Sequence, residues 1–388
     1  MRELEQNREA FAYWLCSRAG IGAVTQVEIL KHIQSVEEFM SCDANLLAKW
    51  CKQKKKFEKL EQEKNNLQQN MKNTKQIKQQ LLENYKRLEK SGIRFFSYIH
   101  PDYPDKCRRI PDPPGGLYCY GTLPEPDKLS VAVIGARVCS EYGRYLARQF
   151  GRVLAENGVQ IISGMARGID GISQWAALEA GGSSFGILGC GVDICYPKEN
   201  YLLYEKMKTR GGILSEYVPG TQPKGNLFPP RNRIISAFAD AILVIEAREK
   251  SGTLITVDMA LEQGKEVYAV PGRITDSLSN GCNRLIAQGA GIAVSPESLL
   301  QELGGMEKQQ SAADPKKDTY CGSDFQSLIL EMLELTPISL SEISERLVRI
   351  GHGISISELM QELVELTMIG QISAIGTNYF VKNPQKMR

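Results

Sequence analysis

The chain has 388 residues, which is enough for about two to four domains of ordinary size. A hydrophobic content of 42% and a charged content of 24% exclude a wholly disordered, collagen-like or small disulfide-rich chain. With 47 basic and 45 acidic residues the net charge is +2, which indicates no particular partner. Residues 1–94 hold 18 of the basic and 12 of the acidic side chains, which fits a polyanion-binding surface or a solvated helical surface.

The ten cysteines include no Cys-x-x-Cys pair and the three histidines are scattered, so no zinc-binding pattern is present. No stretch reaches the roughly 18 apolar residues that are needed to span a bilayer. Residues 1–8 carry charges of both signs, and no apolar run of signal-peptide length follows them. We therefore expect a cytoplasmic protein with free thiols, no metal, no cofactor and no membrane segment.

Residues 1–94 are predicted to form a helical domain of the helix-hairpin-helix or SAM-like type. The Gly-Ile-Gly hairpin at residues 20–22 lies between two helical patterns. Its amide groups could hold a DNA phosphate, or the hairpin could be a plain turn between helices. Residues 52–91 are rich in Lys, Gln, Asn and Glu, and their sparse apolar positions predict a long polar helix or a helix pair.

Residues 95–304 have the pattern of an α/β core. A Pro-rich extended segment leads to Gly121, and apolar runs separated by helical patterns follow it. Continuous apolar runs indicate strands that are buried on both faces, and their alternation with helices predicts a parallel sheet with helices on both sides. The predicted strands are residues 131–134, 160–162, 185–188, 212–214, 241–245, 266–270 and 292–294.

The end of the chain is predicted to be a linker, residues 305–322, and a winged-helix-like domain, residues 323–388. Three helical patterns and two short strands around Gly376 give that order of elements. A DNA-reading winged helix is expected to carry basic residues on its third helix. Residues 355–368 contain Glu358, Glu362 and Glu365 but no Lys or Arg. We therefore expect a protein-contact or regulatory module, with a DNA-contacting wing near Lys382 as the alternative.

Candidate binding residues follow the predicted strands. Arg137 in Gly135-Ala136-Arg137 stands where a dinucleotide fingerprint needs its second Gly, so we exclude a standard NAD site. Its forked guanidinium can still hold a phosphate, although it could also be an ordinary surface residue. The next strand ends in a similar pattern that contains Gly164 and Arg167. Because parallel strands end at one edge of a sheet, these loops predict an anion-binding cleft.

The segment 224–233 combines basic side chains with an aromatic ring. Basic groups can hold a nucleic-acid backbone while Phe228 offers a face for an unpaired base, which suits single-stranded nucleic acid. The alternative is a loop with one core Phe and arginines at a helix start. Ser251-Gly252-Thr253 opens another helix, where free N–H groups can bind an anion and Ser251 can act as a cap.

No catalytic constellation is found. The chain has no P-loop motif and no recognisable Ser-His-Asp arrangement. Four carboxylates follow strands, and we expect them to cap helices or to pair with the arginines rather than to act as acids or bases. They are Asp170, Asp193, Glu216 and Glu246.

These motifs resemble the DNA processing protein A family, also called DprA or Smf, over residues 100–303. The resemblance implies a helical amino-terminal domain, an α/β core with an extended Rossmann-like parallel sheet, and a winged-helix-like carboxyl domain. It also implies a non-enzymatic protein that binds single-stranded DNA, loads a RecA-type recombinase during natural transformation and dimerises through the core. We expect the DNA contacts at Gly135, Arg137, Gly164, Arg167, Lys224, Asn226, Phe228, Arg231, Asn232, Arg233, Ser251, Gly252 and Thr253.

Two positions depart from the family pattern. Ala136 replaces a common Ser or Thr, and Gln174 replaces a common His, so no proton transfer can be assigned there. The alternative function is a nucleotide-processing enzyme related to phosphoribohydrolases, whose phosphate loop reads Gly-Gly-x-Gly-Thr. Here Lys250-Ser251-Gly252-Thr253 lacks the preceding Gly pair, which favours the binding protein.

Overall fold

In the computed structural model, which describes residues 2–70, 73–304, 324–333, 337–375 and 378–382, the contacts of the chain separate two units. Unit 1 spans Met1–Gly305 and unit 2 spans Met306–Arg388. The finer division at residue 94 stays a prediction, and the predicted linker, residues 305–322, lies outside the described residues. No helix in the described ranges is long and apolar enough to cross a membrane.

The described part of the amino-terminal region is helical, and its polar stretch is a pair of helices. The apolar stripe on this pair buries Leu60, Ile77, Leu81 and Tyr85, whereas Met71 lies outside the described residues. The helices are α1 (Arg2–Cys16), α2 (Ala23–His32), α3 (Val36–Ser41), α4 (Ala44–Cys51), α5 (Lys54–Asn70) and α6 (Thr74–Lys90).

These helices pack directly on the edge of the sheet, and a buried carboxylate joins the two layers. Glu9 on α1 accepts hydrogen bonds from the Ser97 N–H at 3.0 Å and from the Ser97 hydroxyl at 2.5 Å. Burial raises the pKa of Glu9 to about 7, so this carboxyl binds a proton far more readily than an exposed one. The rings of Tyr13, Phe95 and Tyr118 pack around one another beside it.

The sheet of unit 1 has nine strands in the order β1-β2-β6-β5-β4-β3-β7-β8-β9. β1 and β2 are antiparallel to their neighbours, and the strands from β6 to β9 along that order are parallel. The strands are β1 (Ile93–Ser97), β2 (Gly116–Gly121), β3 (Ser130–Ile134), β4 (Gln160–Ser163), β5 (Ser184–Ile187), β6 (Gly211–Ser215), β7 (Ala241–Val244), β8 (Glu266–Ala269) and β9 (Gly291–Ile292).

The seven strands predicted from apolar runs are confirmed, with ends shifted by one or two residues. β1 and β2 were not predicted as strands. The sequence indicated only an extended lead-in there, because β2 begins and ends with Gly and follows a Pro-rich turn. Their antiparallel pairing, Ile93 opposite Tyr120 and Ser97 opposite Gly116, is a tertiary feature that extends the sheet beneath α1 and α6.

Successive residues of the central strands pack into opposite faces of the sheet, as the pleat requires. On one face Val131 and Val133 pack with residues of α8 and α9, and on the other face Ala132 and Ile134 pack with residues of α11 and α12. The helices of this layer are α7 (Asp105–Arg108), α8 (Glu141–Glu156), α9 (Ile169–Glu179), α10 (Tyr201–Met207), α11 (Phe228–Phe238), α12 (Gly252–Glu262), α13 (Asn280–Ala287) and α14 (Pro296–Glu302).

Unit 2 has the predicted winged-helix order, with a small antiparallel sheet β10-β12-β11. Its core contains Ile329, Ile343, Leu359 and Phe380. The two-residue strand β10 was not predicted, and Gly376 and Thr377 of the turn lie outside the described residues. The elements are α15 (Asp324–Met332), β10 (Ile338–Ser339), α16 (Leu340–Arg349), α17 (Ile356–Met368), β11 (Ile372–Ile375) and β12 (Tyr379–Lys382).

Candidate nucleic-acid interface

A cleft of about 610 Å³ opens at the carboxyl ends of β3 and β7, next to the start of α12. β4 and β7 lie on the two sides of β3, so the direction of the chain through the sheet reverses here. Open α/β sheets place their ligands at such a point. The structure brings together at this cleft Gly135, Arg137, Phe228, Arg231, Asn232, Ser251, Gly252 and Thr253.

A second cavity of about 50 Å³ shares Arg137, Phe228 and Arg231 with the cleft and adds Gly164 and Arg167. The Arg167 side chain is 62% exposed and forms a surface ion pair with Glu199. Lys224 and Asn226 are exposed on the segment that leads into α11 and are not among the described lining residues of either cavity. Ten of the thirteen predicted site residues therefore line the two cavities.

Tight loop packing positions Arg137. A Cβ on Gly135 would lie 2.7 Å from Cγ1 of Ile169, and one on Gly168 would lie 2.2 Å from the Ala136 carbonyl oxygen. Gly168 also has φ +72°, which disfavours other residues. The two loops thus pack closely together while the Arg137 side chain is exposed at their rim.

Phe228 forms an aromatic surface in the cleft. It is half-buried at the first residue of α11, ahead of two prolines that suit a helix start. Its ring stacks on Tyr196, with centroids 5.5 Å apart and planes inclined by 27°. The guanidinium carbons of Arg137 and Arg231 lie 5.8 and 5.9 Å from the Phe228 centroid. Sequence reasoning did not select Tyr196 as a contact residue, because it lies on a different loop.

Arg231 lines the cleft but is anchored in the protein, with 5% of the residue exposed. It donates hydrogen bonds to the carbonyl oxygens of Ile187 and, at 3.1 Å, of Gly164. Asp170 approaches from the same side and accepts from the Gly164 N–H at 3.2 Å. Burial lowers the pKa of Arg231 to about 10 and raises the pKa of Asp170. The attraction between the two opposite charges opposes both of these pKa shifts. Arg231 therefore remains charged at neutral pH, and the carboxyl group of Asp170 lines the same cleft beside it.

Arg233 does not reach the cleft. Two residues along an α-helix are about 200° apart, so Arg231 and Arg233 project from opposite sides of α11. Both terminal nitrogens of Arg233 donate to Glu216 at 2.7 Å, and Nε lies 2.9 Å from Asp112 Oδ2. These carboxylates raise the pKa of Arg233 against the effect of burial. The predicted DNA contact at Arg233 is thus placed in an internal ion pair.

The start of α12 forms one wall of the cleft. The Ser251 hydroxyl caps the helix by accepting from the Thr253 N–H at 3.2 Å, and the Thr253 hydroxyl donates to the Gly135 carbonyl at 3.1 Å. A Cβ on Gly252 would meet nothing within 4 Å, so the helix start faces open space. Arg248 and Lys250 line the same wall and are exposed. Sequence reasoning missed both, although they directly precede the Ser-Gly-Thr motif.

The carboxylates near the strand ends are engaged in structural contacts. Glu246, 2% exposed, accepts from the N–H of Ser140 at 3.0 Å and from its hydroxyl, and Ser140 caps α8. Asp193 accepts from the Gly220 N–H at 2.8 Å, and Glu216 binds Arg233. Glu216 thus has the predicted role of an arginine partner, whereas Glu246 supports the capping residue of α8 and Asp193 holds a loop.

Gln174 holds the loop that carries Arg167. It is fully buried, accepts from the Met165 N–H at 3.1 Å and donates to the Phe185 carbonyl at 2.9 Å. Met165 has φ +54°, which is a strained left-handed conformation for a residue with a side chain. Asn200 donates to the carbonyl oxygens of Met165 and Ala166 at 3.0 and 3.1 Å. The Gln174 side chain therefore stabilises this loop through its hydrogen bonds.

The cleft and its loops lie within residues 94–304, which match the sequence model of the family described as DNA recombination-mediator protein A. The chain belongs to this family. Protein Smf of Escherichia coli K12 is 37% identical over 287 residues, covering 71% of this chain and 74% of that protein. DNA processing protein DprA of Streptococcus pneumoniae R6 is 41% identical over 210 residues, covering 54% of this chain and 73% of that protein. The resemblance found in the motifs is confirmed.

Solved structures of DprA proteins support the same family assignment. DprA from Streptococcus pneumoniae is 30% identical, with a TM-score of 0.61 over 76% of this chain and 97% of that chain. DprA from Helicobacter pylori is 30% identical, with a TM-score of 0.50 over 54% of this chain and 95% of that chain. The second structure was determined to understand the single-stranded DNA binding mode of that protein.

Proposed function

We propose that the cleft binds single-stranded DNA without sequence preference and that the protein acts in DNA recombination and natural transformation. The observation that carries this proposal is the half-buried Phe228 ring with two guanidinium groups within 6 Å of its centroid, in a cleft that also contains a helix start. Aromatic faces and positive grooves together suit unpaired strands, whose bases are free to stack. Membership of the family and the binding mode described for the Helicobacter pylori relative support it.

The exposed and the buried residues of the cleft have different roles in this proposal. Arg137, Arg248 and Lys250 are exposed at the cleft, where they bind phosphates. The amide groups at the start of α12 add hydrogen bonds to a phosphate. Phe228, supported by Tyr196, stacks on a base, and the buried Arg231 shapes the cleft and contributes its charge.

A salt series with single-stranded and duplex DNA of equal length tests the proposal. We expect tighter binding of the single strand and a steep fall of affinity with salt. Arg137→Ala should weaken binding about fivefold or more and lower the slope of log affinity against log salt by about 0.7 for each phosphate that the protein no longer neutralises.

The matched control is Lys128→Ala, which removes a cation from the opposite edge of the sheet, where Lys128 pairs with Glu125 at 2.8 Å. Lys128→Ala should leave the affinity and the slope unchanged. Equal affinity for single strand and duplex at moderate salt would contradict the proposed function.

We further propose that a RecA-type recombinase is the protein partner and that the protein forms a homodimer through the sheet in the cytoplasm. The family description as a recombination mediator supports the first part. Exposed apolar side chains at the edge of the sheet support the homodimer. Ile292 in the edge strand β9 is 46% exposed, and Val294, just after this strand, is 71% exposed. Light scattering tests the dimer. A binding assay with purified recombinase and the protein on a single strand tests the partner. If the recombinase did not bind, the proposed partner would be contradicted.

We propose a binding protein rather than an enzyme. The support is that Asp170, Glu216 and Glu246 are already held by protein groups, which leaves them poorly placed to move a substrate proton. Incubation with nucleoside monophosphates should release no free base. Release that disappears in Glu246→Gln or Asp170→Asn would instead support the nucleotide-processing alternative.

A further inference from the structure

A cavity of about 440 Å³ lies between α1, α6 and the loop that follows β6. Its lining is polar and aromatic at once, because Trp14 forms a nearly buried floor beside guanidinium, amide and hydroxyl groups. The cavity is lined by Tyr13, Trp14, Ser17, Arg18, Leu81, Asn84, Arg87, Leu88 and Val218.

Two cations line this cavity, and in the described part of the chain only Arg18 has a carboxylate partner. The guanidinium of Arg18 lies 5.3 Å from the Trp14 ring centroid and 3.1 Å from Glu63. Arg87 is exposed, and within the described ranges no carboxylate lies in ion-pair distance of it. The helices α5 and α6 together contain ten basic and five acidic residues, so the surroundings are positive as well.

The loop after β6 connects this cavity with the DNA-binding cleft. Val218 lines the cavity, and its carbonyl accepts from the Thr221 N–H at 3.0 Å. The Thr221 carbonyl in turn accepts from the Gly191 N–H at 2.9 Å, and Gly191 directly follows Cys190, which lines the small cavity beside Phe228.

The order of the strands gives the length of this path. β7 and β6 are separated by β3, β4 and β5, which makes four strand spacings. At about 4.8 Å for each spacing, the path along the carboxyl edge of the sheet is ~19 Å, a length that a few nucleotides can bridge.

We propose that a single strand bound in the cleft continues along this edge and enters the cavity on the helical region. Arg87 binds a phosphate there and Arg18 adds a second guanidinium beside it, while the Asn84 amide offers a hydrogen bond to a sugar or a base. This second site rests on the proposed function, because it extends the path of the same strand. It also gives the basic amino-terminal helices a role in binding.

The test compares two oligothymidylates of about 5 and about 20 nucleotides. The first is near the lower end, and the second is above the upper end, of the site sizes of ~4–16 nucleotides found for compact single-strand binding folds. Fluorescence anisotropy with the full chain measures affinity over a salt series. Arg87→Ala should weaken binding of the long strand about fivefold, lower its salt slope by about 0.7 and leave binding of the short strand nearly unchanged.

Lys86→Ala is the matched control, because it removes a neighbouring exposed cation from α6 about 100° around the helix from Arg87. Arg18→Gln is a second variant and should act in the same direction as Arg87→Ala. Wild-type affinity for the long strand in both Arg87→Ala and Arg87→Glu would overturn the second site. If Arg137→Ala also bound both strands normally, the proposed function itself would fail, so the two failures are distinguishable.

Discussion

The cleft of unit 1 and the helix α17 of unit 2 are two of the places where a fold of this kind could meet DNA, and their chemistry is opposite. The cleft exposes Arg137, Arg248 and Lys250 beside an aromatic ring. α17 has no Lys or Arg over Ile356–Met368, although it stands where a winged helix often reads bases. The comparison teaches that an element of a DNA-binding fold has to be judged by the groups it exposes.

Two of the three carboxylates of α17 also have local roles. Glu358 completes a capping box with Ser355, and Glu365 accepts from the Gln326 amide at 3.0 Å. Val364 and Met368 of the same helix are 47% and 83% exposed. The carboxylates of α17 would repel a phosphate backbone, and a protein-contact or regulatory role for unit 2 stays a prediction.

The largest expected effect distinguishes Arg233, which lies in an internal ion pair, from Arg137, which is exposed at the cleft. Arg233→Ala leaves Glu216 buried without its partner, so the free energy of unfolding of unit 1 should fall by about 3–5 kcal/mol. Denaturant unfolding measures the decrease, and Arg137→Ala, which removes an exposed side chain, should change the stability little. Full stability combined with weakened DNA binding in Arg233→Ala would show that Arg233 contacts DNA after all.

The next effect tests the aromatic part of the cleft. Phe228→Ala should cost about 1–3 kcal/mol of single-strand affinity with little change in the salt slope, because stacking releases no counterions. Phe228→Leu keeps an apolar side chain of similar size at the helix start but removes the π face, so it should lose most of the same affinity. Wild-type affinity in Phe228→Leu would assign the ring to packing rather than stacking, and unfolding of both variants would place it in the core.

The smallest expected effect concerns unit 2. A chain truncated after Gly305 retains all of unit 1 and should bind a single strand with nearly unchanged affinity, because α17 offers no cation to a phosphate. The same titration on the full chain is the control. A decrease in affinity of more than about tenfold, or ~1.4 kcal/mol, would assign part of the binding to unit 2 and would favour its wing near Lys382.

Much of the architecture could be predicted from local patterns. Seven continuous apolar runs became the parallel strands, and the polar stretch after residue 52 became a helix pair. β1, β2 and β10 could not be predicted in this way, because short strands next to Gly and Pro become ordered only through pairing with distant strands.

The sequence by itself determined the class of fold, the family and the stretch that contains the cleft, since strand–helix alternation and closely spaced motifs are local properties of the chain. The tertiary structure decided which side chains reach a ligand. It placed Arg231 at the cleft and Arg233 in an ion pair two residues later, and it brought Tyr196 beneath Phe228 from another loop. The physical reason is that burial and partners depend on helix phase and on contacts between distant segments, which the order of residues does not display.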